Sequence, residues 1–161
     1  MKRAGDYHVR SARGADRERL ASLWTQFLEE QARLDGRFVV ADDAAQRWSN
    51  DFSEWIAARV HGLFVAVSED EGPIGFASVH LWYPAPIYRP ELEAYLNEIY
   101  VAPAWRRKGV ATALLEAVRE WAEARNAQRI RLGVLAANET GLTFWDKSGA
   151  RPFFQTLLID I

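Results

Sequence analysis

The chain contains no cysteine. That single absence removes disulfides, thiolate zinc sites, iron–sulfur clusters and any cysteine nucleophile. A surplus of one charge is missing as well. Twenty Lys and Arg face 22 Asp and Glu, for a formal net charge of −2, so no global basic field is available to hold nucleic acid or an anionic membrane. No stretch is apolar for long enough to span a bilayer, and the basic Lys2 and Arg3 are not followed by the apolar run of a secretory signal. Asn138-Glu139-Thr140 matches the glycosylation acceptor pattern, but without such a signal the match carries no weight. The expectation is a cytoplasmic protein. His8, His61 and His80 show no metal-ligand spacing with one another or with carboxylates, and no elbow-like glycine motif suggests a Ser-His-Asp arrangement. No metal is expected.

What is present is the balance of an ordinary globular chain, with 161 residues, 49% hydrophobic and 26% charged. This length predicts one domain over 1–161 that buries about two-thirds of its unfolded surface. Tyr7 to Ala12 reads as a strand. After Asp16, the residues Leu20, Leu23, Trp24, Phe27 and Leu28 repeat at helical spacing until Gly36. A second helix follows Asp42, with Trp48, Phe52, Trp55 and Ile56 on one face. Leu63 to Val67 and Ile74 to Tyr83 form a hairpin across Ser68–Pro73, and Ala94 to Val101 is a further strand. Gly109 to Arg125 is the clearest helix, Arg129 to Leu135 alternates as a strand, and Asn138 opens a short helix that stops near Gly149. Pro152 to Ile161 reads as a closing strand. The order β-α-α-β-β-β-α-β-α-β describes a mixed α/β sheet.

One stretch carries chemistry, Glu98-Ile99-Tyr100-Val101-Ala102-Pro103-Ala104-Trp105-Arg106-Arg107-Lys108-Gly109-Val110-Ala111. A strand that runs through a tight loop into an amphipathic helix aims free backbone N–H groups and the positive end of the helix dipole at one point. Gly109 and Ala111 are small enough for a ligand to approach the backbone. Arg106, Arg107 and Lys108 are cations where a helix dipole alone would favour Asp or Glu. The chemistry is that of a phosphate or pyrophosphate cradle. Lys108 precedes Gly109, the reverse of the triphosphate loop, and the third glycine of the dinucleotide fingerprint is absent.

The remaining pattern, Gln/Arg-x-x-Gly-x-Gly/Ala, is met by Arg106, Gly109 and Ala111 and resembles the acyl-CoA pyrophosphate loop of the GNAT superfamily of N-acetyltransferases. Asn138-Glu139-Thr140-Gly141-Leu142-Thr143-Phe144-Trp145-Asp146-Lys147-Ser148-Gly149-Ala150 is similar to that family's second motif, and the order of elements upstream fits its N-terminal half. The resemblance implies a mostly antiparallel central sheet flanked by helices, with acetyl-CoA as co-substrate. It implies a pantetheine arm lying along Ile99 and Val101 like an added strand. Arg106, Arg107, Lys108, Gly109, Val110, Ala111 and Thr112 would hold the pyrophosphate, and Asn138 would contact the cofactor while capping its own helix. The acceptor would be a small-molecule or peptide amine, in a chain that a homodimer would also suit. A non-catalytic acyl-CoA sensor is the rival reading.

Glu98 is the candidate general base, because a carboxylate in an apolar strand is raised in pKa and suits an ammonium substrate. Glu93 and Asn97 compete for that role. Trp82, Tyr83 and Tyr88, around a proline-rich loop, are candidates for the acceptor site. The acidic Glu29, Glu30, Asp35, Asp42 and Asp43 could attract a cation. Trp145 stands where the family usually has a tyrosine that protonates the departing thiolate. Indole N–H is not acidic, so either another phenol, Tyr95 or Tyr100, substitutes or the thiolate leaves unprotonated. The expectation is the second, with Trp145 packing against the pantetheine end.

Overall fold

The structure is a computed structural model that describes residues 6–161. Its elements are β1 (Tyr7–Ser11), α1 (Arg17–Leu34), α2 (Ala44–Ala57), β2 (His61–Ser68), β3 (Gly72–Trp82), β4 (Glu93–Val101), α3 (Val110–Glu123), β5 (Ile130–Leu132) and α4 (Glu139–Lys147). The strands form one sheet in chain order. Every pairing is antiparallel except β4 with β5. A right-handed crossover through α3 is what a parallel neighbour requires.

Each face of the sheet carries its own core. The stripe Val110, Leu114, Leu115, Val118 and Trp121 of α3 packs on Ala66, Ala77, Val79, Leu96 and Val101, and Trp145 of α4 joins it. On the other face, Leu20 and Leu23 of α1 with Trp48 and Phe52 of α2 cover Leu63, Val65, Phe76 and Tyr100. The period-3.6 apolar stripes read from the sequence are those that do the packing. Asp16, just before α1, ties the helix start to β1: its carboxylate takes both Arg10 guanidinium nitrogens at 2.7 and 2.9 Å and the Arg13 N–H at 2.7 Å. The Arg10 pair holds this carboxyl below the usual carboxylate range, against the desolvation that would raise it.

One expected element is missing. Residues 151–161 join no ladder, and β5 is confined to three residues instead of running from Arg129 to Leu135. The composition of Pro152–Ile161 suits a strand, but a strand exists only where a partner edge meets it, and among the described residues none does.

Candidate active site

The loop between β4 and α3 builds the cradle. Arg107 (φ 62°) and Gly109 (φ 81°) both adopt left-handed backbone, and such alternation turns successive N–H groups toward one concavity. Glycine suits the second position because a Cβ is strained at that φ. Among the described residues, the N–H groups of 107–112 have no main-chain partner. Ala113, donating to the Gly109 carbonyl at 3.0 Å, is the first of the helix to find one. Six donors without a main-chain partner therefore follow one another at the positive end of α3. Val110 is buried against the core, and Ala111 and Thr112 follow in the first turn of α3.

The cationic side chains divide. Arg107 is exposed beside the cradle. Lys108 lays its ammonium over the Trp105 ring at 4.8 Å, and its carbonyl accepts from the Tyr7 hydroxyl at 3.4 Å. Arg106 turns away. Its Nε donates to the Val101 carbonyl at 2.9 Å, and its Nη2 donates to both Glu30 oxygens at 2.8 Å. Arg106 thus ties the loop to α1, and the cradle is made mainly of main chain.

Beyond Leu96 the two parallel strands part. Pairing covers only Ala94–Leu96 against Ile130–Leu132, so the second half of β4 has an open edge. The Ala102 N–H donates to the Ile74 carbonyl at 2.8 Å. By the alternation of an antiparallel ladder, Tyr100 and Glu98 then turn their main chain to β3 while Ile99 and Val101 turn theirs into the gap. An extended ligand leaving the cradle would meet that edge as an extra strand.

A bulge in β4 decides where Glu98 points. Ser78 pairs with Glu98 but Val79 pairs with Leu96, which leaves Asn97 as the extra residue. Ala94 and Leu96 face the α3 core, as do Ile99 and Val101. Glu98 is thereby moved to the α1 face with Tyr100. There its Oε2 accepts a short hydrogen bond from the Ser78 hydroxyl, and its Oε1 accepts from the Trp24 indole N–H at 3.5 Å. Burial pushes the Glu98 carboxyl above the usual carboxylate range, and the two hydrogen bonds recover only part of that. Asn97, exposed, meets His80 Nδ1 at 3.0 Å. His80 stacks on Tyr95 at 5.4 Å between ring centroids, and Trp82 meets Tyr95 edge-on at 6.3 Å. Trp24 belongs to the apolar stripe of α1 and packs on its core. It is partly buried and also serves Glu98.

Glu93 has no accessible surface, and its oxygens are taken by Arg129 Nε at 2.7 Å and Arg131 Nε at 2.6 Å. Burial pushes it up, but the two guanidiniums together hold it below the usual range, so it is a clamp between β4 and β5 with no oxygen free for an amine. Tyr83 alternates away from Trp82 and lines a separate groove with Leu81, Leu92 and Arg125, and both Tyr83 and Tyr88 are more than 60% exposed. The structure does not bring these two tyrosines to Glu98. Of the acidic group, Glu30 is paired to Arg106, Asp35 to Arg37 and Asp43 to Arg47, so these three have cations of their own chain. The Tyr100 hydroxyl, desolvated and donating to Glu30 at 2.9 Å, is pushed up to about 12. The Tyr95 hydroxyl lies by Gly133, at the mouth of the gap. Asn138 caps α4, its Oδ1 accepting from the Gly141 N–H at 2.9 Å, and a Cβ at Gly141 would strike that side chain. Trp145 is buried, with Phe144 edge-on at 4.9 Å.

Ser78 escaped the sequence reading because its tie to Glu98 exists only across a ladder. Among the described residues there is no group of three or more His, Asp or Glu placed to hold a metal ion, and no helix long and apolar enough to cross a membrane.

Residues 18–150 match the sequence model of the Acetyltransferase (GNAT) family. The chain belongs to that family. It is 26% identical over 104 residues to an uncharacterized N-acetyltransferase of Methanocaldococcus jannaschii, a match covering 65% of this chain and 46% of that one. It is 30% identical over 106 residues to an aminoglycoside N(6')-acetyltransferase type 1 of Klebsiella aerogenes, covering 63% of this chain and 65% of the other. These matches thus span about half to two-thirds of the relatives' lengths. The fold agrees with a predicted acetyltransferase from Clostridium acetobutylicum crystallised with acetyl-CoA, at a TM-score of 0.77 and 20% identity over 96% of each chain. The N–H cradle and the open β4 edge of this GNAT chain fit the diphosphate and the extended arm of such a cofactor.

Proposed function

We propose that this chain is an acetyl-CoA-dependent N-acetyltransferase in which Glu98 deprotonates the acceptor amine. One observation carries the reading. At the Asn97 bulge, an outward-facing β4 edge that leads to the N–H cradle meets a half-buried carboxylate on the acceptor side. Bound acetyl-CoA supplies a thioester, whose acyl carbon bonds to the amine nitrogen as the carbon–sulfur bond breaks. The N–H groups of 107–112 hold the diphosphate. The main chain of Ile99 and Val101 aligns the arm, and an N–H near Ile99 polarises the carbonyl. Glu98 takes the proton that the amine loses, a task suited by a carboxyl raised above the usual carboxylate range by burial. Direct attack agrees with a chain that has no cysteine to carry an acyl group. A thiol of pKa about 8.5 is a tolerable leaving group without a proton donor, which accommodates Trp145 in the tyrosine's place.

The acceptor is a primary amine on a small molecule or peptide, received on the face bearing Trp24, Ser78, His80, Trp82 and Tyr95. The name of the Klebsiella relative supports the small-molecule case. The test is thiol release from acetyl-CoA across a panel of aminoglycosides, polyamines, amino acids and peptide N-termini. Amine-dependent release is expected. Tight acetyl-CoA binding with no release for any amine class would leave the sensor reading instead.

A further inference from the structure

Resting on the acetyltransferase reading above, we propose that Arg129 and Arg131 receive a carboxylate of the acceptor. The amine acetylated here then belongs to a small zwitterion, an amino acid whose amine stands at the far end of its chain from the acid. Charge on the acceptor face does not balance. Alternation along the ladders puts Glu93, Glu98, Ser78, Trp82 and Arg131 together on the face opposite α3. Among the described residues, Glu93 is the one carboxylate that either guanidinium meets, so two cations share one anion. Glu93 is sealed, while the Arg129 and Arg131 side chains keep 41% and 21% of their surface. Glu93 takes the Nε of each, and Nη2 of Arg131 at 3.2 Å. Among the described residues neither Nη1 has a hydrogen-bond partner. The Arg131 guanidinium also lies over the Trp82 ring at 4.4 Å. Both forks are thus fixed from beneath with donors to spare. A guanidinium fork matches the two oxygens of a carboxylate, and side chains already held lose little freedom on binding one.

Position along β4 decides which reactant meets this charge. The N–H cradle follows the C-terminal end of the strand, the open edge runs back along Val101 and Ile99, and Glu98 stands at the bulge. Glu93 and its guanidiniums are at the opposite, N-terminal end. They lie past the point where the acyl group would stop, beside the acceptor and away from the diphosphate. The spacing limits the acceptor's length. Ser78 holds Glu98, Trp82 underlies Arg131, and the two are roughly 13 Å apart along β3 at about 3.3 Å per residue. A hydrogen bond of about 3 Å at each end leaves roughly 7 Å between amine nitrogen and acid oxygen, the reach of an extended chain of about five carbons. A polyamine or an aminoglycoside would bring a like charge to the guanidiniums.

The test is thiol release from acetyl-CoA with aminovalerate, its neutral amide and cadaverine, amines of equal chain length that differ at the far group. For aminovalerate, kcat/KM is expected to exceed that of the amide roughly 10- to 100-fold, with cadaverine lowest. Arg129→Gln and Arg131→Gln should each bring aminovalerate down to the level of its amide, chiefly through KM, with CoA affinity unchanged. Should neither variant fold, the comparison of the three amines on the parent chain decides alone. Release with aminovalerate no faster than with its amide overturns the assignment and leaves the acetyltransferase reading standing. So does a preference for cadaverine, or a preference for aminovalerate that survives in both folded variants. Bound acetyl-CoA with no release for any amine brings both down.

Discussion

Gly109→Asp is the sharpest probe of the cradle, because its effects on folding and on binding separate. Gly109 sits at φ 81°, and an L side chain there costs roughly 1–2 kcal/mol of stability. The new Cβ itself has room, its nearest contact being the Tyr7 hydroxyl at 3.4 Å, so the fold should survive. Binding suffers more. A carboxylate placed about 4 Å from a phosphate charge repels it by roughly 2–4 kcal/mol at an effective dielectric of about 20–40, the range for a site open to solvent on one side. CoA affinity should fall roughly 30- to 1,000-fold. Pantetheine, which lacks the diphosphate, should bind the variant as it binds the parent chain. Titration calorimetry with both ligands, beside a thermal melt, checks all three. Unchanged CoA affinity, or an equal loss for pantetheine, would refute the placement of the diphosphate on 107–112.

Glu98→Gln should lower turnover roughly 10²–10⁴-fold near neutral pH with CoA affinity retained, and the deficit should shrink at high pH as the amine arrives neutral; a small, pH-independent effect removes Glu98 from the chemistry. The same variant should gain in melting temperature over the parent as pH rises. Folding raises the Glu98 pKa, so the stability that goes with its neutral form is full in acid and lost as pH rises through the folded value, and only the parent loses it; melts of the two chains that stay parallel as pH rises from acid to alkaline would contradict this. Glu93→Gln, which leaves the Arg129 and Arg131 guanidiniums without their anion, should cost about 2–4 kcal/mol in denaturant unfolding. Trp145→Phe should keep most activity in the thiol-release assay, and a collapse with folding and CoA binding intact would make the indole N–H part of the catalysis.

Local chemistry was legible in the sequence. The apolar stripes of α1, α2 and α3 each lie within one helix, so a period of 3.6 residues finds them without knowledge of what they meet. The cradle was legible for the same reason: strand, turn, glycine and helix start follow one another in the chain, and their free N–H groups follow from helix geometry alone. Asn138 as a cap was likewise a matter of three residues.

Tertiary structure decided what depends on residues far apart. The direction of Glu98 rests on a bulge at Asn97, which exists only in the register with β3. Its neighbours Ser78 and Trp24 lie 20 and 74 residues away. Arg106, which reads as a phosphate ligand, is drawn off by Glu30, 76 residues upstream. Glu93, a plausible base as a sequence, is sealed by arginines 36 and 38 residues downstream. Strand composition at 152–161 could not supply the edge that a strand needs, because a ladder is made by two segments and composition belongs to one.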